Sequence, residues 1–554
     1  MYFNKLFFCF VCISMLSVRV VLAVNVGTDT TISADTTAKQ TITADNITLI
    51  NNANINFSGE TAIDLGRRSG IIIINNAGAS IKANEDVIKC STDNKTCSGP
   101  VTLNNFGLIS NTSTASDGLV RLDKATDALI RNHPGGVIQG VGGERDGHHA
   151  VDLSTSSTLI NGGTIIRIDD GAPGLLNVTS AIGIQGNDVK VILQDDSILV
   201  GTINNFTNKT GLKIHVDHGY GRSYMYHTIG AIDELVDLSG NRIVKGSATA
   251  VGMGAQETVD ELLGLRAYNL RNTLKRYANL QNPKAQIEPF AQVSFRDNGR
   301  TTISYDNYTY GTHFIYPVVP DKLNLILTVE SNKLKLDEGH SVDKDSFLIG
   351  VNTNDFIEIG QLKASAFIAG GVSWHDSSRD VLTNIVITGR DNVTANYETT
   401  DAIVGLSFSH TYDQKISESV SNKWETDLGV TLSFSHTPNY SESRFFTWEE
   451  RDVTQLSVHL GEQLTLLLGD KIEFRLGSEF EHRSVLAGKT QNHAINDVDV
   501  DFKSGAFYEN SISMNTGFNY SLGEYSKAYI QFNGRVSDQT AVSVGGSAGV
   551  NVVF

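Results

Sequence analysis

K-I-E-F-R-L-G-S-E-F-E-H, residues 471–482, sets Ile472, Phe474, Leu476 and Phe480 on one parity of the chain and Glu473, Arg475, Glu479 and Glu481 on the other. Successive side chains of an extended strand point to opposite faces, so this stretch carries hydrocarbon on one side and charge on the other. A strand of this kind separates two environments. A soluble sandwich meets the requirement with core inside and water outside. A membrane barrel meets it with lipid outside and a wet lumen inside.

The same alternation recurs through the last third of the chain. Leu323, Leu325, Leu327 and Val329 alternate with Asn324, Thr328 and Glu330, and Leu428, Val430, Leu432 and Phe434 with Asp427, Thr431, Ser433 and Ser435. Ile512, Met514, Phe518, Tyr520 and Leu522 stand against Ser513, Asn515, Gly517 and Asn519. The second face is rich in Gly, Ser and Asn, which suits a filled or water-lined lumen. Runs of about ten residues match a tilted membrane strand. The reading preferred over a soluble all-β domain is a 12-stranded antiparallel transmembrane β-barrel over residues 284–554. Trp374, Trp424, Trp448 and Tyr529 are expected at strand ends, as an interfacial aromatic girdle.

Among 554 residues, 19% are charged and the formal net charge is −17, which argues against a nucleic-acid partner. Proline is scarce, at 8, and glycine plentiful, at 51, as in β-structure with many turns. Residues 1–23 have the form of a secretory signal peptide: Lys5, an apolar core from Leu6 to Val18 that holds Cys9 and Cys12, and Val21-Leu22-Ala23 before the cut. Arg19 argues against a retained membrane helix. No later apolar run is long enough for a helical span. Export and a strand-built barrel together point to the outer membrane of a Gram-negative bacterium.

Residues 24–205 have a different composition, with Phe57 and Phe106 as the aromatics of the whole span. One half-repeat reads A-I-D-L from Ala62, L-V-R-L from Leu119, A-V-D-L from Ala150 and A-I-G-I from Ala181. The other, apolar–Asn–turn–Ile, ends at Ile55, Ile81, Ile109, Ile138 and Ile165. Its asparagines, taken as Asn52, Asn76, Asn105, Asn132 and Asn161, are 24, 29, 27 and 29 residues apart. A loose repeat of this size suits a parallel β-helix, or solenoid, with one coil per repeat. Ile and Val form its thin core, and Asn and Gly take the corners. Cys90 and Cys97 form an even pair in an oxidising compartment and are the disulfide candidate.

Residues 206–253 lose the repeat and form a junction or capping segment with Tyr220, Tyr224 and Tyr226. Residues 254–283 hold a single linker α-helix, clearest from Glu257 to Tyr277. Acidic Glu257, Asp260 and Glu261 lead and basic Arg266, Arg271, Lys275 and Arg276 trail, the order that suits a helix dipole. Val259, Leu263, Leu270, Leu274 and Tyr277 lie near one face, interrupted by Arg266. Such a mixed surface fits either a linker packed on a domain or, preferably, a helix inside a wet barrel lumen.

Signal peptide, solenoid, helix, twelve strands and a C-terminal V-N-V-V-F make up an order that resembles the autotransporters of the type V secretion class. The resemblance implies an outer-membrane barrel, in contact with outer-membrane lipid, that delivers the N-terminal solenoid to the cell surface. Val550, Val552 and Phe554 match the signal read by the barrel-assembly machinery, although Val552 stands where an aromatic is often preferred. Periplasmic chaperones and a host-surface ligand are the other implied partners, with adhesion or host contact as the task. The alternatives are a hydrolase passenger and a self-contained channel. The hydrolase reading predicts loss of activity on substituting His148 or His149. No catalytic residue, cofactor or metal is expected. His148-His149 with Asp146 and Asp152, and the H-V-D-H of residues 215–218, read as polar turn or strand residues.

Overall fold

The computed structural model describes residues 23–552 apart from 91–96, 98, 113–117, 142–148, 169–178, 206, 245–247, 253, 279–284, 297–303, 321, 337–338, 418–419, 470, 496–497, 504–507 and 524–525. The expected signal peptide, His148, Asp146 and Phe554 lie outside the described residues. The chain divides into two compact units. The first holds residues up to 192, 196–213 and 229–233, and the second 193–195, 214–228 and 234–554. The expected junction 206–253 is therefore shared: 206–213 and 229–233 go with the first unit and the rest with the second.

The first unit is a parallel β-helix whose central coils lay down three short strands each. One coil runs Val101–Asn105, Leu108–Asn111 and Gly118–Leu122, and the next Leu129–Asn132, Val137–Val141 and His149–Leu153. Each strand pairs in parallel with its counterparts one coil before and one coil after. The register stacks Ile73, Leu103, Ile130 and Leu159 in one row and Ile81, Ile109, Ile138 and Ile165 in another, all fully buried. These rows are the thin core.

A buried asparagine ladder seals one corner. Asn51 donates to Asn75 (2.9 Å), Asn75 to Asn105, Asn105 to Asn132 and Asn132 to Asn161 (2.8 Å each). Each Nδ2 also reaches a backbone carbonyl of the second strand one coil on, as from Asn132 to Thr164 O at 3.1 Å. The sequence reading placed the first two rungs one residue late. Strand parity turns Leu49 and Asn51 inward, so Asn52 and Asn76 stand outside and form a separate pair at 2.6 Å. Cys90 and Cys97 are buried and joined as a disulfide with Cα atoms 5.9 Å apart.

The second unit holds a closed barrel. Its strands are β1 (Gln286–Arg296), β2 (Tyr305–Val319), β3 (Leu323–Leu336), β4 (His340–Ile359), β5 (Leu362–Thr383), β6 (Arg390–Lys415), β7 (Val420–Thr437), β8 (Arg451–Leu468), β9 (Ile472–Ala487), β10 (Tyr508–Gly523), β11 (Ser526–Ser537) and β12 (Ala541–Val552). Neighbours pair antiparallel all the way round, and β12 pairs with β1 to close the ring. Closure leaves no edge, the one way a strand-built wall satisfies its backbone in hydrocarbon. Tight connections such as 320–322 and 360–361 gather at the rim where β1 begins, and longer ones such as 438–450 and 488–507 at the other.

Side-chain parity settles the two environments left open above. Leu428, Leu460, Leu476, Phe480, Ile512 and Met514 all face outward, while Asp427, Thr431, Ser433, His459, Glu479, Glu481 and Ser513 are turned in and buried. The exterior is an apolar belt, that of a membrane-spanning barrel. Two expected girdle residues do not belong to it. Trp374 and Trp424 face outward, but Trp448 is fully buried and Tyr529 points inward, its hydroxyl accepting from Gln286 Nε2 at 2.9 Å. Trp448 lies in a short strand, Phe446–Trp448, of a small separate sheet, and Tyr529 has the opposite parity to the exposed Ile530 and Phe532.

Candidate functional site: the occupied lumen

Helix α1 runs from Gly254 to Ala278, three residues earlier at its start than the clearest sequence signal, and packs within the barrel. Its apolar stripe meets an apolar strip of the inner wall. Ala267, Leu270, Leu274 and Tyr277 pack on Ile315, Ile326, Leu348, Ala369 and Ile403. Nearer the N-terminus, Leu262, Leu265 and Tyr268 pack on Tyr305, Leu334, Leu336 and Val342. Ile326 thus breaks the polar pattern of the inward face of β3 because the helix, not water, lies opposite.

The charged stripe is paired group by group with the wall. Asp260 accepts from Arg451 of β8, and Glu261 from Arg296 of β1 and the Tyr305 hydroxyl of β2. Further along, Arg266 donates to Glu330 of β3 and Asp401 of β6, with Ser346 Oγ 2.7 Å away on β4. Arg271 binds Glu479 and, at 2.9 Å, Glu481 of β9. Lys275 binds Asp427 and lies 3.7 Å from Glu425 of β7. The wall is therefore basic where the helix is acidic and acidic where it is basic. Most of these side chains are under a tenth exposed, where an unpartnered charge is expensive. Gly264 permits one close approach: a Cβ there would clash with the Arg483 guanidinium, which bonds the Glu261 carbonyl at 3.2 Å.

A polar chamber of about 250 Å³ adjoins the C-terminal half of the helix, lined by Lys275, Asn352, Lys363, Glu425, Asp427 and His459 among others. Asp427 and His459 of this lining, together with Glu479, bring metal-ligand atoms within 4.8 Å of one another. Lys275 and Arg271 already hold the two carboxylates, so the cluster reads as part of the ion-pair lattice.

At the rim with the longer connections, Arg379 is buried between the rings of Trp448 (5.5 Å) and Phe446 (5.9 Å) and ion-paired with Glu442 at 3.2 Å. Trp448 Nε1 donates to the same carboxylate at 2.8 Å. Val244, Val251, Val381 and Val393 complete the cluster. Beside it Tyr224 donates to Asp237 at 2.9 Å, and burial, reinforced by that carboxylate, pushes the phenol up from its ordinary value.

The histidines singled out in the sequence disperse. His149 is buried with Nδ1 2.6 Å from Asp152 Oδ1, and its carbonyl accepts from Arg167 at 3.1 Å. His215 lies 3.2 Å from Glu234, whereas His218 meets the Tyr226 hydroxyl at 2.7 Å, so the two do not converge. Val550 faces outward from β12; Val552 ends that strand. The ion-pair partners and the Arg379 cluster were not found by sequence reasoning. The order of acid and base along the helix was the available signal, without the wall positions that answer it.

No protein-family profile and no curated protein matches this chain. Among solved structures, the barrel is similar to the translocator domain of the autotransporter NalP from Neisseria meningitidis, at 10% identity over 54% of this chain and 98% of that one, TM-score 0.42. It is also similar to the transport unit of the autotransporter AIDA-I from Escherichia coli, at 8% identity over 50% and 92%, TM-score 0.39. An outer-membrane channel from Pseudomonas putida F1 is similar at 10% identity over 50% and 98%, TM-score 0.30.

Proposed function

We propose that this chain is an outer-membrane autotransporter whose barrel delivers its own β-solenoid to the cell surface, for adhesion or host contact rather than catalysis. The observation that carries the reading is a helix held within the lumen, followed in the chain by the first barrel strand and preceded by the solenoid. A chain that has been drawn through the barrel leaves such a helix behind. No nucleotide triphosphate is at hand beyond the inner membrane, so folding on the far side supplies the drive. A solenoid that stacks coil on coil suits this, because each finished coil templates the next. The implied partners are the barrel-assembly machinery, reading Val550, Val552 and Phe554, periplasmic chaperones, outer-membrane lipid and a host-surface ligand.

Protease added to intact cells tests the reading. Residues 24–205 are digested while the barrel survives. Survival of the solenoid on intact cells, with digestion once the outer membrane is opened, overturns delivery.

A further inference from the structure

Strand β5 outruns its neighbour. Its pairing with β4 starts at Arg379 opposite His340, the first residue of β4, yet β5 continues to Thr383. On that side Val381–Thr383 would be an open edge, the kind of edge that accepts another strand. The segment Ser223–Tyr226 fills it in parallel register, Ser223 against Val381, Tyr224 against Leu382 and Met225 against Thr383. Its other side is covered by Ala248–Ala250, antiparallel.

Side chains fasten the added strand. Asn384 accepts from the His227 N–H at 2.7 Å and donates to the His227 carbonyl at 2.9 Å. Arg379 donates to Ser223 Oγ at 3.2 Å and to the Gly252 carbonyl at 2.5 Å while held by Glu442 and the two rings. Val244 and Val251 are buried with Val381, Val393, Phe446 and Trp448. Main-chain bonds supply attachment and pockets for side chains supply fit, as in strand addition between separate proteins.

We propose that this rim is a strand-docking surface which keeps hold of the chain upstream of residue 245 without covalent continuity. The proposal deepens the delivery reading and rests on it for its purpose: a passenger cut at the junction stays on the barrel. The ligand is this chain's own strand Ser223–Tyr226, bound by strand addition.

The test uses full-length protein in detergent, with a site-specific protease sequence inserted between Gly246 and Ser247. After cutting, the N-terminal fragment is expected to co-elute with the barrel in gel filtration and to separate only in urea. Met225→Pro removes an N–H from the docked strand and its packing on the cluster of Val381, Val393, Phe446 and Trp448, leaves every barrel residue unchanged, and is expected to lose retention after cutting while the barrel keeps its heat-modifiable mobility. Separation of the unsubstituted fragment without urea overturns the proposal, as does undiminished retention of the Met225→Pro fragment. The readout does not depend on which side of a membrane the solenoid occupies, so its failure is distinct from a failure of delivery on intact cells.

Discussion

Replacing Arg266 by Met should loosen the helix from the lumen. The guanidinium is 7% exposed and serves Glu330 and Asp401 together, with Ser346 and Ser373 at 2.7 and 3.4 Å. Removing one partner of a buried pair costs about 3–5 kcal/mol, because the other charge is left without compensation. Here two carboxylates are left, but serine hydroxyls remain around them: Ser373 and Ser435 both donate to Asp401. The lower end, about 3 kcal/mol, is therefore expected. At roughly 2–4 °C per kcal/mol for a domain of this size, the midpoint of the heat-modifiability transition falls by about 6–12 °C. Adding Glu330→Gln and Asp401→Asn to Arg266→Met removes the stranded charges and should recover part of the loss, with a coupling of about 1–3 kcal/mol. A shift under about 2 °C for Arg266→Met, or plain additivity of the three changes, refutes the idea that these buried pairs hold the helix.

In the solenoid, Asn105→Ala breaks a fully buried ladder and should cost about 2–4 kcal/mol, read as lost hydrogen-exchange protection from Asn75 to Val137, whereas Asn76→Ala on the outside stays within about 0.5 kcal/mol. Replacing Cys90 and Cys97 by Ala reopens a loop of sequence separation 7. The chain-entropy relation gives about 2.5 kcal/mol for so short a ring, seen as faster exchange around Ile88 and Val101. Leu428→Arg places a cation on the outward face of β7 and should destabilise the folded barrel in lipid vesicles by about 2–4 kcal/mol, read from its unfolding midpoint in urea, while Ser433→Ala, facing in, leaves it nearly unchanged.

The barrel was legible at 471–482 because a period of two needs only local parity, and the same rule assigns Tyr529 inward from its neighbours Ile530 and Phe532. Trp448 misled because an aromatic near a strand end looks alike whether it faces lipid or fills a cap; its Glu442 partner, six residues away, decides. In the solenoid, I-N-N offers two asparagines per corner, and only the inward phase of Leu49 selects Asn51. The ion pairs of the lumen were out of reach. Arg266 with Asp401 and Arg271 with Glu479 span 135 and 208 residues, and which wall positions share a level depends on the stagger of the strands.

The distribution of sign along α1 fixes its polarity of insertion. From Asp260 to Lys275 the helix rises roughly 22 Å, passing from a collar of arginines to a collar of carboxylates. Turned end for end, it would set Asp260 against Asp427 and Lys275 against Arg451, anion on anion and cation on cation. The barrel thus works as a keyed bore that admits its shaft in one sense only, acidic end toward the longer connections and basic end toward the tight ones.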